Sequence, residues 1–167
     1  MTRPAVEGDL RGLSTGALAY VGDAVYELHA RLHALGDGQG HSGAMHRRAV
    51  RLVKATYQAE AARRLLPELT EEEAAVFRRG RNNTAGSLPK HADPVAYRAA
   101  TGLEAVFGYL FLKGETARVD LLMDRVIALA EEIETSPAAT PVDDEESRSA
   151  ECGPEDGGGP SERNGTR

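Results

Sequence analysis

The sequence predicts an all-α fold, an irregular helical bundle, and two observations support this. Apolar residues recur at spacings of three and four along most of the first 134 residues. No segment shows the alternation of apolar and polar residues that is typical of a strand. There is also no internal repeat at a fixed period, which argues against an α-solenoid. The chain has 167 residues, enough for one domain with a substantial core.

The first two helices are long. Leucine and valine at helical spacing predict a helix over 15–35, which ends at the glycine-rich breaker that begins at Gly36. A second periodic pattern predicts one continuous helix over 42–66, because Pro67 is the first residue that must stop it.

The third helix is short. Thr70 followed by Glu73 forms a capping box, so this helix should start at residue 71 and end near Gly80. The segment 81–92 has neither periodicity nor a capping signal, and it is interpreted as a loop.

Two further helices complete the bundle. Asp93 before Pro94 provides an N-cap with proline at the first helical position, and the apolar pattern then continues to Leu112. Thr116 can cap a last helix, whose apolar stripe ends at Ile133.

The composition changes sharply near residue 135. Residues 1–134 carry 17 lysines and arginines against 18 acids, whereas residues 135–167 carry 3 against 8. The second stretch is rich in glycine, proline and serine and has no aromatic residue, so 1–134 should be the folded domain and 135–167 a disordered acidic tail. The net charge of −6 therefore hides a basic middle, since 47–98 holds 11 basic and 6 acidic residues.

Several classes of protein are disfavoured by the sequence. The single cysteine, Cys152, allows neither a disulfide framework nor a thiolate metal cluster. No segment approaches the roughly 20 apolar residues of a membrane span, and the N-terminus lacks the apolar core of a signal peptide. We therefore expect a cytoplasmic protein with no membrane partner.

Two nearly apolar helical stretches each hold one carboxylate. These are Asp23, within residues 15–26, and Glu104, within 102–112. An unpaired buried anion costs several kcal/mol or more, so each acid needs a cation or strong donors. The glycines at 22, 102 and 108 would let the helices pack closely and bring the acids together. A shared site for Mg²⁺ follows as one hypothesis, while a structural role in a cap or an ion pair stays open on the acids alone.

Three ordered motifs resemble the catalytic-domain signature of the ribonuclease III family. They are L-A-Y-V-G-D-A-V-Y-E around Asp23, R-R-G-R-N at 78–82, and A-T-G-L-E-A-V-F-G-Y-L-F-L around Glu104. The similarity is greatest to the small bacterial form, Mini-ribonuclease III, and covers roughly residues 10–134. Full-length members have further carboxylates where this chain has Ala19 and Thr101, and they carry a double-stranded-RNA-binding domain for which the tail is too short.

The resemblance implies a ribonuclease III-like helical bundle that acts as an Mg²⁺-dependent, homodimeric endoribonuclease. Asp23 and Glu104 match the catalytic and metal-binding acids. The implied substrate is double-stranded RNA, typically the stem flanking precursor 23S ribosomal RNA, and the sequence leaves open whether a ribosomal protein assists. Without the extra domain, RNA contacts should come from basic and polar residues near the acids. The candidates are Arg78, Arg79, Arg81, Asn82, Asn83, Lys90 and His91.

Other functions fit parts of the same pattern. Arginines in the last turn of a helix also favour its dipole without any ligand. The basic run at 47–54 is interpreted as an ordinary solvated face. His29 and His33 have the spacing of a zinc pair but no accompanying glutamate motif. The two alternatives to a nuclease are a non-catalytic duplex-RNA-binding protein with the same fold and a helical interaction protein.

Overall fold

The computed structural model describes residues 10–36, 41–83, 90 and 92–135. A short 3-10 helix at Leu10–Gly12 precedes six α-helices, and a second one lies at Leu66–Glu68. The α-helices are α1 (Thr15–Leu35), α2 (Ser42–Val53), α3 (Ala55–Leu65), α4 (Glu71–Arg81), α5 (Pro94–Lys113) and α6 (Thr116–Thr135). No strand occurs within these ranges, so the prediction of an all-α fold is confirmed.

Helix α5 is the central element of the bundle. Its residues 105–110 are all buried, and α1, α3 and α4 pack around it while α6 contacts its C-terminal half. Phe107 and Tyr26 lie at the centre of the core, with their rings edge to face at a centroid distance of 5.2 Å. The other large, fully buried side chains are Leu18, Leu65, Leu103, Val106, Leu110, Val119, Leu122, Met123 and Val126.

The prediction of one helix over 42–66 is wrong. The chain breaks at Lys54, whose backbone is extended (φ −63°, ψ 133°), and this separates α2 from α3. The break lets α2 pack on α1 while α3 turns to pack on α5. The carbonyl of Leu52 is satisfied by the Tyr26 hydroxyl, which donates to it at 3.0 Å. Tertiary packing here overrides a locally helical sequence.

The first half of the predicted apolar stripe of α1 is buried, but the second half is not. Leu28, Leu32 and Leu35 are exposed, whereas Ala30 and Ala34 are buried. The leucines of the second half of α1 therefore lie on the outside of the described domain.

The predicted helix ends are largely confirmed. Thr70 and Glu73 form the reciprocal capping box of α4, and Asp93 accepts a hydrogen bond from the Val95 amide at 2.9 Å at the start of α5. Gly114 adopts a left-handed conformation (φ 83°) and ends α5. No described helix is long and apolar enough to cross a membrane. The predicted tail lies outside the described residues from 136 onward and stays a prediction.

Candidate active site

The site is built on a crossing of α1 and α5 in which the two backbones touch. A Cβ atom added to Gly22 would lie 1.7 Å from the carbonyl oxygen of Glu104, and one added to Gly108 would lie 2.0 Å from that of Leu18. Contacts this short exclude any side chain at either position. The predicted role of these glycines in close helix packing is therefore confirmed.

The crossing brings Asp23 and Glu104 together. Asp23 follows Gly22 directly and is exposed, while Glu104 is half-buried. Burial raises the pKa of Glu104 to about 7, and the negative charge of Asp23 contributes to the same shift. Desolvation, followed by the nearby Glu27 carboxylate, raises the pKa of Asp23 as well. The two acids are thus close enough for the charge of Asp23 to disfavour ionisation of Glu104.

The immediate neighbours of the acids stabilise this arrangement without neutralising it. Within the described residues, neither Asp23 nor Glu104 forms an ion pair with lysine or arginine. The buried side-chain amide of Gln58, from α3, acts on Glu104 through a hydrogen-bonding contribution that lowers the pKa of this acid and so partly offsets the effect of burial. Tyr26 lies one turn after Asp23 in α1, and Phe107 lies one turn after Glu104 in α5. Both rings are buried and contact each other. The structural alternative of acids locked in arginine pairs is not what the described residues show.

The donor set fits a hard divalent cation. Mg²⁺ prefers oxygen ligands, which both carboxylates supply. The pKa values of Asp23 and Glu104 are raised, and a cation bound by both would offset the electrostatic cost of ionising them. No group of three or more metal-binding side chains occurs in the described ranges, so such an ion would keep several waters. Ala19 supplies no donor, and the Thr101 hydroxyl donates to the Tyr97 carbonyl at 3.0 Å on its own helix.

The C-terminal end of α4 lies beside the same crossing. A Cβ atom on Gly80 would lie 2.8 Å from the Cα atom of Gly102, so α4 is in close contact with α5 only two residues before Glu104. Asn83 approaches the first turn of α1, with its side-chain nitrogen 3.8 Å from a Cβ built on Gly16. The segment 78–82 is thereby held next to both acid-bearing helices.

Most predicted RNA-contacting residues are exposed there. Of this set, Arg78, Arg79, Arg81 and Asn82 lie on the solvent-exposed end of α4, with the Arg81 guanidinium 3.4 Å from the Asn82 side-chain oxygen. Lys90 is exposed too, but the residues on either side of it are not described. His91 lies outside the described residues, so its predicted contact stays a prediction.

Sequence reasoning missed Gln58. Its face of α3 continues through Ala61, Ala62 and Leu65, all of which are buried. A polar residue at the first position of an otherwise apolar stripe is the signal that could have identified it. The predicted continuous helix over 42–66 hid this signal, because residue 58 was not assigned to a separate helix with its own buried face.

Comparison with known proteins gives a consistent result. The ribonuclease III domain family matches residues 16–115. Mini-ribonuclease 3 of Symbiobacterium thermophilum is 48% identical over 102 residues, covering 61% of this chain and 78% of that protein. The Thermoanaerobacter sp. protein of the same name is 40% identical over 120 residues, covering 72% and 84%. A crystal structure of protein FN1578 from Fusobacterium nucleatum superposes with a TM-score of 0.67 at 26% identity, covering 72% of this chain and 98% of that one.

An all-α bundle with two carboxylates beside the crossing of α1 and α5, matched by the family over more than half of the chain, defines the class: the chain belongs to the ribonuclease III family of endoribonucleases. Members of this family act on double-stranded RNA and generally use a divalent metal. Within the family, the chain is of the Mini-ribonuclease 3 type. The family assignment confirms the predicted resemblance and favours an enzyme over both non-catalytic alternatives.

Proposed function

We propose that the chain is an Mg²⁺-dependent endoribonuclease that cleaves double-stranded RNA, with Asp23 and Glu104 as its metal-binding catalytic residues. The observation that supports this most directly is the backbone contact of Gly22 with Glu104, together with the effect of the Asp23 charge on the pKa of Glu104. Such a pair is costly unless a cation or a proton relieves it, and a pKa near 7 leaves Glu104 ready for either.

Each acid has a distinct part in this proposal. Asp23, which is exposed, faces the incoming phosphodiester, and Glu104 anchors the ion from the half-buried side. A bound Mg²⁺ lowers the pKa of a coordinated water and stabilises the negative charge that develops on the phosphate. Neither acid is paired with a described lysine or arginine, so both remain available as ligands.

The duplex is expected to lie along α1 and across the end of α4. A-form RNA is recognised mainly through phosphates and 2′-hydroxyls, which suit the exposed arginines and the amide at 78–82. The helical rise places Gly16, beside Asn83, about 10 Å along α1 from Asp23, a span of a few nucleotides. We include Lys90 and His91 in the RNA-contacting set on the sequence pattern.

The finer assignments extend the same proposal. The substrate is the stem flanking precursor 23S ribosomal RNA, and a homodimer carries one site in each subunit so that both strands are cut. Exposed apolar residues on α1, including Tyr20 at 82% and Leu32 at 56% exposure, are compatible with a surface covered by a second copy. The cytoplasmic location is carried forward as a prediction from the sequence.

A cleavage assay tests the proposal. An end-labelled precursor 23S stem and an unrelated duplex of equal length are incubated with the protein, with Mg²⁺ or with a chelator, and the cut ends are mapped. Asp23→Asn and Glu104→Gln should each slow cleavage by about 10³-fold or more, because several kcal/mol of transition-state stabilisation is lost. Asp124→Asn, at an exposed position of α6, is the matched control and should cleave normally. Full activity of Asp23→Asn would refute the assignment of the acids, and equal cleavage of both duplexes would refute the 23S preference.

A further inference from the structure

Gln58 is an unusual residue for the interior of this bundle. Its side chain is only 2% exposed, and it is one of two buried polar or charged residues in the described part of the chain. The other, Glu73, is accounted for by the α4 capping box and an ion pair with Arg118 at 2.9 Å. No described buried side-chain nitrogen or oxygen lacks a partner, and the group on which the Gln58 amide acts is the Glu104 carboxylate, whose pKa it lowers. The buried amide therefore serves the acid rather than a helix end.

The break at Lys54 delivers Gln58 to this position. The backbone N–H of Gln58 donates to the backbone carbonyl of Lys54 at 2.9 Å, so Gln58 lies in the first turn of α3. Helix α2 packs on α1 and α3 packs on α5, so an uninterrupted helix would carry residue 58 along α1 and away from Glu104. Tyr26 fixes the break through its hydrogen bond to Leu52. Since Tyr26 also contacts Phe107, one buried tyrosine ties the helix break to both acid-bearing helices.

The chemistry of an amide suits this task. A carboxylate turns easily about its last side-chain torsion, and a donor on one oxygen fixes that rotation. Arginine or lysine would fix it too, but would neutralise the acid and compete with a metal cation. An amide donates a hydrogen bond and leaves the negative charge in place. Groups that orient metal ligands in this way typically affect metal affinity or activity by about 10–100-fold.

We propose that Gln58 is a positioning residue for catalysis, which holds the Glu104 carboxylate in the orientation that faces Asp23. This inference rests on the proposed nuclease function, and it assigns Gln58 no contact with the RNA or the reacting phosphate. It predicts that removing the amide weakens the response to Mg²⁺ more than it weakens RNA binding.

The test compares Gln58→Leu with the full-length wild type in the stem-cleavage assay. We expect the Mg²⁺ concentration for half-maximal cleavage to rise about 10-fold or more and kcat to fall, while KM for the stem changes less than about two-fold. Tyr57→Phe is the matched control, because it removes a hydroxyl hydrogen bond to Val126 at the adjacent position of α3. Its Mg²⁺ response should match that of the wild type. Thermal unfolding with and without Mg²⁺ reports whether each variant is folded and, independently of cleavage, how strongly it responds to the ion. The rise in unfolding temperature caused by Mg²⁺ should be smaller in Gln58→Leu than in wild type and Tyr57→Phe, and an equal rise would overturn the positioning role.

The outcomes separate the two proposals. If Glu104→Gln abolishes cleavage but folded Gln58→Leu responds to Mg²⁺ within two-fold of wild type, the positioning role is overturned and the nuclease assignment stands. If Glu104→Gln cleaves normally, Glu104 is not a catalytic residue, and both its proposed role and the positioning role of Gln58 fail. If Gln58→Leu does not fold, Gln58→Met, which keeps the unbranched chain, takes its place. Unfolding of both variants would overturn the proposal, because Gln58 would then be required for folding.

Discussion

Gly22 of α1 lies directly against the backbone carbonyl of Glu104 in α5, so that a Cβ atom at position 22 would come within 1.7 Å of that oxygen. The residue next to one acid is therefore in contact with the backbone of the other. This contact fixes the spacing of the two backbones that carry the acids, and it is stiffer than any contact between flexible side chains. The glycine is as much a part of the candidate site as the acids.

Replacing Gly22 with alanine should destabilise the protein by about 3 kcal/mol or more, because the new methyl group meets backbone that cannot move without separating α1 from α5. The rate of RNA cleavage by Gly22→Ala should fall as well. Urea unfolding measures the change, and Gly43→Ala is the matched control, since a Cβ there lies 3.6 Å from the Arg47 side chain, an ordinary contact. That control should change stability by less than about 1 kcal/mol. Equal stabilities of the two variants would contradict the close crossing.

The sequence could predict this crossing because its signals are local. The acids stand alone in apolar stretches, glycines stand at helical spacing beside them, and the caps at Thr70 and Asp93 have strong sequence signatures. Each of these features depends on residue type and spacing, and each appears in the structure near its predicted position.

The rest could not be predicted because it depends on contacts between distant segments. Nothing near Lys54 stops a helix, and the break exists because α3 packs on α5 and because Tyr26 satisfies the carbonyl of Leu52. Without the break, the role of Gln58 is invisible. The exposed leucines of α1 have the same origin, since tertiary packing buries Ala30 and Ala34 in the second half of that helix instead.

Tyr26→Phe should lower the free energy of unfolding by about 1–3 kcal/mol, because it leaves the buried carbonyl of Leu52 without its hydrogen-bond donor. The ring and its contact with Phe107 are retained, so the loss is specific to the hydrogen bond. Urea unfolding again provides the measurement. Tyr20→Phe removes a hydroxyl from a side chain that is 82% exposed and should leave stability unchanged. A stable Tyr26→Phe protein would mean that the break at Lys54 does not need this bond.

The raised pKa of Glu104 makes a prediction about pH. Its folded-state pKa of about 7 lies above the ordinary value of 4.5, so the folded protein holds this proton more tightly than the unfolded chain. Without metal, the contribution of Glu104 to the free energy of unfolding should therefore be greatest below about pH 4.5. It should fall as the pH rises through about 7. At pH 8, Glu104→Gln should be more stable than wild type by on the order of 1–3 kcal/mol, a difference that vanishes in acid.

Unfolding in urea with a chelator, from about pH 5 to pH 8, measures this effect. Asp23→Asn removes the neighbouring negative charge and should make the pH dependence shallower than in wild type. Added Mg²⁺ should stabilise wild type more than Glu104→Gln, because a ligand that binds only the folded state raises its stability. Parallel curves of stability against pH for wild type and Glu104→Gln would show that folding does not raise the pKa of Glu104.

The arginines at the end of α4 should contribute to RNA affinity through phosphate contacts. Each such contact releases counterions, so Arg78→Ala and Arg81→Ala should each lower affinity and reduce the slope of log affinity against log salt by about 1. Binding of a stem to the Asp23→Asn protein, between about 50 and 200 mM salt, gives the slope without cleavage. Arg48→Ala, on the exposed face of α2, is the control and should leave the slope unchanged. If Arg48→Ala reduced the slope and the α4 variants did not, the duplex would lie across α2, and the RNA-contacting surface would have to be reassigned to that helix.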